Sequence, residues 1–111
     1  MKDSLSSLSL KNGKDAVKID FLQTRKASLI LRALNHKLRQ QILKLLDEKK
    51  KITVTEIYVK LRLEQSVASQ HLAILRRAGI VSTIRDGKHI YYSPAYERLA
   101  EIVKLTEEFV G

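Results

Sequence analysis

Residues 63–81, LEQSVASQHLAILRRAGIV, combine an apolar side and an uncharged polar side at helical spacing. Ala68, Leu72 and Leu75 repeat at i, i+4 and i+7, which predicts that they face a protein core. The polar side carries amides and hydroxyls, from Gln65, Ser66, Ser69 and Gln70. Glutamine can pair with adenine N6 and N7, and serine with several base edges in the major groove of DNA. The segment therefore predicts a helix, over residues 65–78, that contacts bases.

The C-terminal end of this helix is basic. Arg76 and Arg77 interact favourably with a helix C-terminus, and Arg77 shares the polar side, where it could also contact DNA. Gly79 predicts the end of the helix, because glycine adopts the left-handed capping conformation at little cost. His71 lies between the two sides, so it could either brace the helix or reach a DNA phosphate.

A hairpin is predicted immediately after the helix, over residues 80–93. The stretch IVSTIRDGKHIYYS alternates β-branched and aromatic residues about Asp86-Gly87, which is a strong hairpin signal. Arg85 and Lys88 flank the predicted turn, where they could contact the DNA backbone or the minor groove. Cations on edge strands also discourage aggregation. Arg85 and Lys88 could therefore serve only that purpose, and this alternative to DNA contact stays open.

Two helices are expected before this region. Apolar periodicity predicts one over residues 17–34 and another over 36–47, with Asn35 as the N-cap of the second. Residues 1–15 are rich in serine and lysine and have no sustained period, which predicts a flexible arm. Residues 16–111 are expected to form one domain that binds DNA and dimerises.

Capping signals place the remaining helices. Thr53 and Glu56 predict a capping box at the start of a short third helix, and about three residues then connect it to the helix at 65. Ser93, as N-cap, and Pro94, at the first helical position, predict a last helix that runs to Val110. The predicted fold class is mainly α with a small β-hairpin, a winged helix-turn-helix of five helices and a two-stranded wing.

Composition narrows the class of protein. The 111 residues carry a formal net charge of +9, which favours a polyanionic partner, and the only acidic excess lies in residues 94–111. The chain has no cysteine, so disulfides, thiolate metal sites and a catalytic cysteine are excluded. No carboxylate pair, nucleophile constellation or phosphate-binding glycine loop indicates an enzyme. Without an apolar run of about 20 residues or a secretory signal, no membrane association and a cytoplasmic location are expected.

The segment QSVASQHLAILRRAGIVSTIRDGKHIYYS resembles the recognition helix and wing of ArsR/SmtB-type bacterial repressors, and ALNHKLRQQILKLL is similar to the family's second helix. The resemblance covers about residues 20–110. It implies a homodimer on a palindromic operator, with the first and last helices packed across a two-fold axis. The apolar stripes of those helices supply the expected interface: Leu22, Leu29, Leu99, Ile102, Val103 and Phe109. Glu64 departs from the family's small cap residue, and its carboxylate could weaken DNA binding or accept a bond from cytosine N4.

The family's known sensor sites have no counterpart in this sequence. Tyr58 and Lys60 stand where some relatives have a cysteine pair in the third helix. Tyr96, Arg98 and Phe109 stand at last-helix positions where others bind metal, and these side chains do not make a tetrahedral nitrogen and oxygen site. We therefore expect no cofactor and no metal or thiol sensor, and the effector is unknown.

The alternative to a DNA-binding regulator is a winged-helix module that binds another protein, with an incidental basic surface. A docking surface of that kind more often shows an aromatic or arginine anchor. Gln65, Ser69 and Gln70 instead favour DNA.

Overall fold

The computed structural model describes residues 5–111, which form two compact units, one ending at Arg32 and one spanning Ala33–Gly111. Residues 1–4 of the expected arm lie outside the described residues. The elements, in chain order, are β1 Ser7–Asn12, β2 Asp15–Asp20, α1 Phe21–Leu34, α2 Lys37–Lys49, β3 Ile52–Thr53, α3 Val54–Lys60, α4 Gln65–Arg77, β4 Val81–Asp86, β5 His89–Pro94 and α5 Tyr96–Val110. The mainly helical class, with five helices and a wing hairpin, is confirmed.

The first unit corrects the expected arm and the expected start of the first helix. Residues 7–20 form an antiparallel hairpin, β1 with β2, in place of an arm without regular structure and a helix from residue 17. Asn12 pairs with Asp15, so Gly13 and Lys14 make a two-residue turn, with Gly13 at a φ of 65°. A positive φ costs glycine little, and glycine at the first of two central turn positions suits a hairpin.

The first helix begins after the hairpin because Asp20 caps it. Its carboxylate Oδ1 accepts bonds from the backbone N–H of Leu22 at 3.0 Å and of Gln23 at 3.4 Å. The N–H of Phe21 donates to the carbonyl of Ser6 at 3.0 Å, which ties the helix start to the hairpin. Side-chain capping of this kind satisfies N–H groups that have no partner inside the helix.

The second unit contains the hydrophobic core. α2, α3 and α4 supply most of it, and its largest fully buried side chains are Ile42, Leu46, Ile57, Leu72, Leu75 and Ile80. The N-cap of α2 is His36, whose Nδ1 accepts a bond from the Leu38 N–H at 3.1 Å, so the prediction of Asn35 was wrong by one position. Either polar residue can cap, and the backbone of His36 is the one that is extended immediately before the helix.

The wing belongs to a three-stranded antiparallel sheet in the order β3-β5-β4. β3 has two residues, too few for a sequence pattern, and Ile52 pairs with Tyr92. The cap predicted at Ser93-Pro94 was wrong, because Pro94 pairs with Val81 as the end of β5 and α5 starts after Ala95. None of the helices in residues 5–111 is both long and apolar enough to cross a membrane.

Candidate nucleic-acid interface

The two sides of α4 have the burial that the sequence predicts. Ala68, Leu72 and Leu75 are buried in the core of the second unit. The predicted DNA contacts on the other side are exposed: Gln65, Ser66, Ser69, Gln70 and Arg77. The first three turns of this exposed side carry only neutral side chains, and positive charge begins at Arg76. α4 therefore presents hydrogen-bonding groups to solvent along most of its length.

A tight turn fixes α4 relative to α3. The N–H of Leu63 donates to the carbonyl of Tyr58 at 2.9 Å, which folds the turn back onto α3. Arg62 sits in this turn with a φ of 56°, a left-handed conformation that non-glycine residues adopt infrequently. Such a residue persists only where its surroundings hold it, so the turn has one defined geometry.

The start of α3 carries the predicted capping box, which is confirmed. The Thr53 hydroxyl accepts a bond from the Glu56 N–H at 3.3 Å, and the Glu56 carboxylate accepts one from the Thr53 N–H at 3.1 Å. The bond from the Thr53 N–H, together with a second bond that the Thr53 hydroxyl donates to the same carboxylate at 2.9 Å, holds the pKa of Glu56 below its usual value. The helix that leads into the turn therefore has a defined first residue.

The two ends of α4 differ in how they are capped. Glu64 is the N-cap residue, but its side chain makes no capping bond, so an exposed carboxylate lies at the N-terminus of the helix. At the other end Gly79 has a φ of 74°, and the Ile80 N–H donates to the carbonyl of Leu75 at 3.0 Å. This is the glycine-terminated arrangement predicted for the end of the helix.

An open concavity lies beside the C-terminal half of α4, where the helix meets the middle strand of the sheet. It is lined by Ser69, Leu72, Ala73, Arg76, Arg77 and Tyr92. Two guanidinium groups beside this concavity could bind phosphates of a nucleic-acid backbone. Sequence reasoning placed Arg77 here but assigned Arg76 only to the helix dipole, and it missed Tyr92. Which β5 residue would meet α4 depends on the strand register, which the sequence pattern did not supply.

The wing tip differs by one position from its predicted form. Asp86 pairs with His89, so the two turn residues are Gly87 and Lys88, and not Asp86 and Gly87. Gly87 has a φ of 64°, which is why glycine is needed there. Arg85 Nε donates to the Gly87 carbonyl at 3.4 Å, and both Arg85 and Lys88 are exposed. Lys88 therefore lies on the tip itself, with Arg85 one residue before the turn.

His71 makes its contacts inside the protein. Arg39, 7% exposed, donates from Nη1 to His71 Nδ1 at 3.2 Å and from Nε to the Ala33 carbonyl at 2.8 Å. The ring of His36 lies 4.9 Å from the His71 ring, centroid to centroid. Burial lowers the pKa of His71, and the nearby His36 and Arg39 lower it further. Of the two roles open for His71, these contacts favour bracing α4 against α2.

The residues expected at a dimer interface differ in how much surface they expose. Leu22, Leu29, Val103 and Phe109 are between 50% and 90% exposed in the single chain. Ile102, in contrast, is 6% exposed, so its side chain belongs to the core and has little surface left for a partner. This corrects its assignment, because a helical stripe does not reveal which of its edges the chain itself covers.

Candidate metal ligands are dispersed among the described residues. Within residues 5–111, no group of three or more His, Asp or Glu side chains could hold a metal ion. His36 and His71 are adjacent, but each Nδ1 already accepts a bond from an N–H of the protein. The absence of a metal sensor remains a prediction.

Comparison with known proteins identifies relatives of this arrangement. The sequence model of the "Bacterial regulatory protein, arsR family" matches residues 36–83. An HTH-type transcriptional regulator from Methanocaldococcus jannaschii is 39% identical over 83 residues, which cover 75% of this chain and 93% of the relative. The crystal structure of the transcriptional repressor PagR of Bacillus anthracis shares 31% identity and a TM-score of 0.62, covering 78% of this chain and 99% of that one. A homodimeric winged helix-turn-helix DNA-binding domain from Mycobacterium bovis, solved by NMR, has 27% identity and a TM-score of 0.65, covering 81% of this chain and 82% of that one.

Proposed function

Because the chain belongs to the arsR family of bacterial regulatory proteins, we propose that it is a homodimeric transcriptional repressor which binds a two-fold symmetric DNA site. α4 enters the major groove and the wing contacts the DNA beside it. Such a protein works in the cytoplasm, where bacterial DNA is, and it needs no catalytic group. The observation that carries the proposal is the neutral, hydrogen-bonding side of α4 bordered by basic residues.

The distribution of charge on this surface separates base contacts from phosphate contacts. Gln65 and Gln70 are exposed on the side of α4 that faces away from the core. The amide of each can donate one hydrogen bond to adenine N7 and accept another from adenine N6. Arg77, at the end of α4, and Arg85 and Lys88, at the wing tip, are also exposed, and their guanidinium and ammonium groups would neutralise phosphates. Base contacts specify a sequence, whereas phosphate contacts fix the position of the protein on the duplex.

The apolar surface of the single chain supports a dimer. α1 buries only Ala33, although it contains four leucines and an isoleucine, and α5 buries only Ile102, although it contains two leucines and two valines besides. Leu105 on α5 is 61% exposed, and Leu31 on α1 is 44% exposed. Exposed apolar side chains on a helix are characteristic of a protein interface. Under two-fold symmetry a second copy would bury the same side chains on both chains.

Selection of DNA fragments by the purified protein tests the function and supplies the site. We expect a two-fold symmetric sequence, with half-sites about one helical turn, roughly 10 bp, apart or a multiple of that. On this site Gln70→Ala should cost about 1–3 kcal/mol in binding and relax the preference at one base pair.

Gln41→Ala is the matched control for this prediction, since Gln41 is an exposed glutamine on α2, a helix to which no DNA contact is assigned. We expect it to bind the selected site as the parent does. If Gln70→Ala lost equal affinity on selected and on random DNA, base recognition by Gln70 would be refuted. Failure to enrich any sequence would refute the function itself.

The wing tip gives a second prediction, of a different kind. Arg85→Ala and Lys88→Ala should each weaken binding by a similar factor on all DNA sequences, because a phosphate contact carries no sequence information. Each should also lower the slope of log affinity against log salt concentration by about one unit. Fluorescence anisotropy at several salt concentrations measures both effects. Lys44→Ala, which removes an exposed lysine from α2, should leave the slope unchanged, and a parental slope in both wing variants would leave their cations without a DNA role.

A further inference from the structure

The N-terminal hairpin has one apolar face and one polar face. Leu8 pairs with Ile19 and Leu10 pairs with Val17, so four apolar side chains lie on the same face. The opposite face carries Ser7, Ser9, Lys11, Ala16, Lys18 and Asp20. Leu10 is 51% exposed and Val17 is 60% exposed, so the apolar face is open to solvent in the single chain.

A hairpin with this exposure needs a cover. Two isolated strands are marginally stable in water, and a third strand or a packed apolar face is normally required. β1 pairs only with β2 among the strands of residues 5–111. The turn at Gly13-Lys14 fixes the register of the strands, and both of its residues are exposed. What stabilises the hairpin must therefore bind its apolar face.

We propose that a second copy of this chain covers this face, so that the hairpin forms part of the homodimer interface. The inference rests on the homodimer of the proposed function and extends its interface to residues 7–20. A second copy is favoured because the cover must be present whenever the hairpin is folded. An obligate partner meets that condition, and an occasional one does not.

Continuity with α1 also favours the second copy. β2 ends at Asp20 and α1 begins at Phe21, with no residue between them, and the hydrogen bond from Phe21 to Ser6 joins the two elements. α1 exposes Leu22 and Leu29, which are residues of the proposed dimer interface. The hairpin is thus directly continuous with a helix of the proposed dimer interface. The polar face, with Lys11 and Lys18, is left to the solvent.

DNA is the competing occupant of the hairpin. The turn at Gly13-Lys14 follows the same pattern as the wing turn at Gly87-Lys88, with a glycine at positive φ and then a lysine. Phosphate contact would use Lys14 and Lys11 and would leave the apolar face uncovered. The dimer accounts for the apolar pairs, whereas DNA accounts only for the cations, so the dimer is the stronger assignment.

Two double variants of the full chain separate these occupants. Leu10→Ser with Val17→Ser changes a cross-strand pair on the apolar face, and Lys11→Ser with Ala16→Ser changes the next pair, on the polar face. Sedimentation equilibrium should show the dimer dissociation constant of the apolar variant raised about 10- to 100-fold, and that of the polar variant unchanged. Circular dichroism should show that both keep the helical content of the parent.

Hydrogen exchange provides a second measurement that does not depend on a variant. In the parent, the backbone amides of β1 and β2 should be protected at concentrations where the dimer forms and should lose protection on dilution to monomer. An unchanged dimer constant in the apolar variant, or equal protection in the monomer, would overturn the hairpin assignment alone. A lower DNA affinity of the polar variant with an unchanged dimer in both variants would assign the hairpin to DNA. A parent that stays monomeric at every accessible concentration would overturn both this inference and the proposed homodimer.

Discussion

Val103→Glu and Phe109→Glu are each expected to separate the dimer into monomers and to lower affinity for the two-fold DNA site by about 10²- to 10⁴-fold. Val103 is 53% exposed and Phe109 is 90% exposed in the single chain, so neither substitution disturbs the core. In the dimer each would place a carboxylate within an apolar interface, where an unpaired charge is costly. Each monomer would then bind one half-site without the gain from the second. Sedimentation velocity and DNA titration measure the two effects.

The next residue along α5 supplies the control. Lys104→Gln changes the net charge by the same amount as Val103→Glu, but Lys104 lies on the charged side of the helix with Glu97, Glu101 and Glu108. It should leave the parental sedimentation coefficient unchanged. Ile102→Glu does not serve as a test of dimerisation, because that buried side chain packs in the core and its substitution would unfold the chain. A fully dimeric Val103→Glu protein would exclude α5 from the interface.

Arg39→Ala is expected to lower the free energy of unfolding by about 2–4 kcal/mol, because hydrogen bonds from a charged donor contribute more than neutral ones. Arg39 is 7% exposed and joins the carbonyl of Ala33 to the Nδ1 of His71, so it connects the end of α1 with α4. Its loss leaves both acceptors without that donor. DNA affinity, measured on the folded fraction, should also fall, since α4 loses a contact that holds its orientation. Urea unfolding and anisotropy are the measurements.

The dependence of the free energy of unfolding on pH measures the contribution of neutral His71, because the packing of apolar side chains does not change with pH. The pKa of His71 is lowered in the folded protein, so the unfolded chain takes up a proton first as the pH falls. The stability contributed by neutral His71 is therefore complete above the unfolded pKa of about 6.5 and is lost as the pH falls through the folded value. His71→Asn should flatten this part of the profile. A parental slope in that variant would show that another group causes the pH dependence.

Short-range signals predicted the parts of the fold that local chemistry decides. The capping box at Thr53 and Glu56 and the helix end at Gly79 are properties of a few adjacent residues. The burial of Leu72 and Leu75 follows from a helical period, which does not depend on what lies opposite. The polar side of α4 follows from the same period, and its role in DNA contact remains a prediction.

Long-range pairing decided the positions where sequence reasoning failed. Ser93-Pro94 carries a good local signal for a helix start, but pairing of Pro94 with Val81 extends the strand. Ile102 and Val103 both belong to the apolar stripe of α5, and only packing determines that the first is buried and the second exposed. The expected arm is a hairpin because each strand finds its partner only across the turn at Gly13. Pairing and packing of this kind cannot be read from one segment alone.

The contact between His36 and His71 also makes the protein suitable for nuclear magnetic resonance. The Nδ1 of each ring accepts a bond from an N–H group, of Leu38 and of Arg39, so the proton of each neutral imidazole is fixed on Nε2. The ring centroids are 4.9 Å apart and the ring planes are inclined at 49°. At this distance the ring current of each imidazole shifts the resonances of the other. His36 precedes α2 and His71 belongs to α4, so a tilt of α4 relative to α2 would change both sets of signals. Since the chain has three histidines, an imidazole spectrum of the unlabelled protein can follow that tilt as DNA is added.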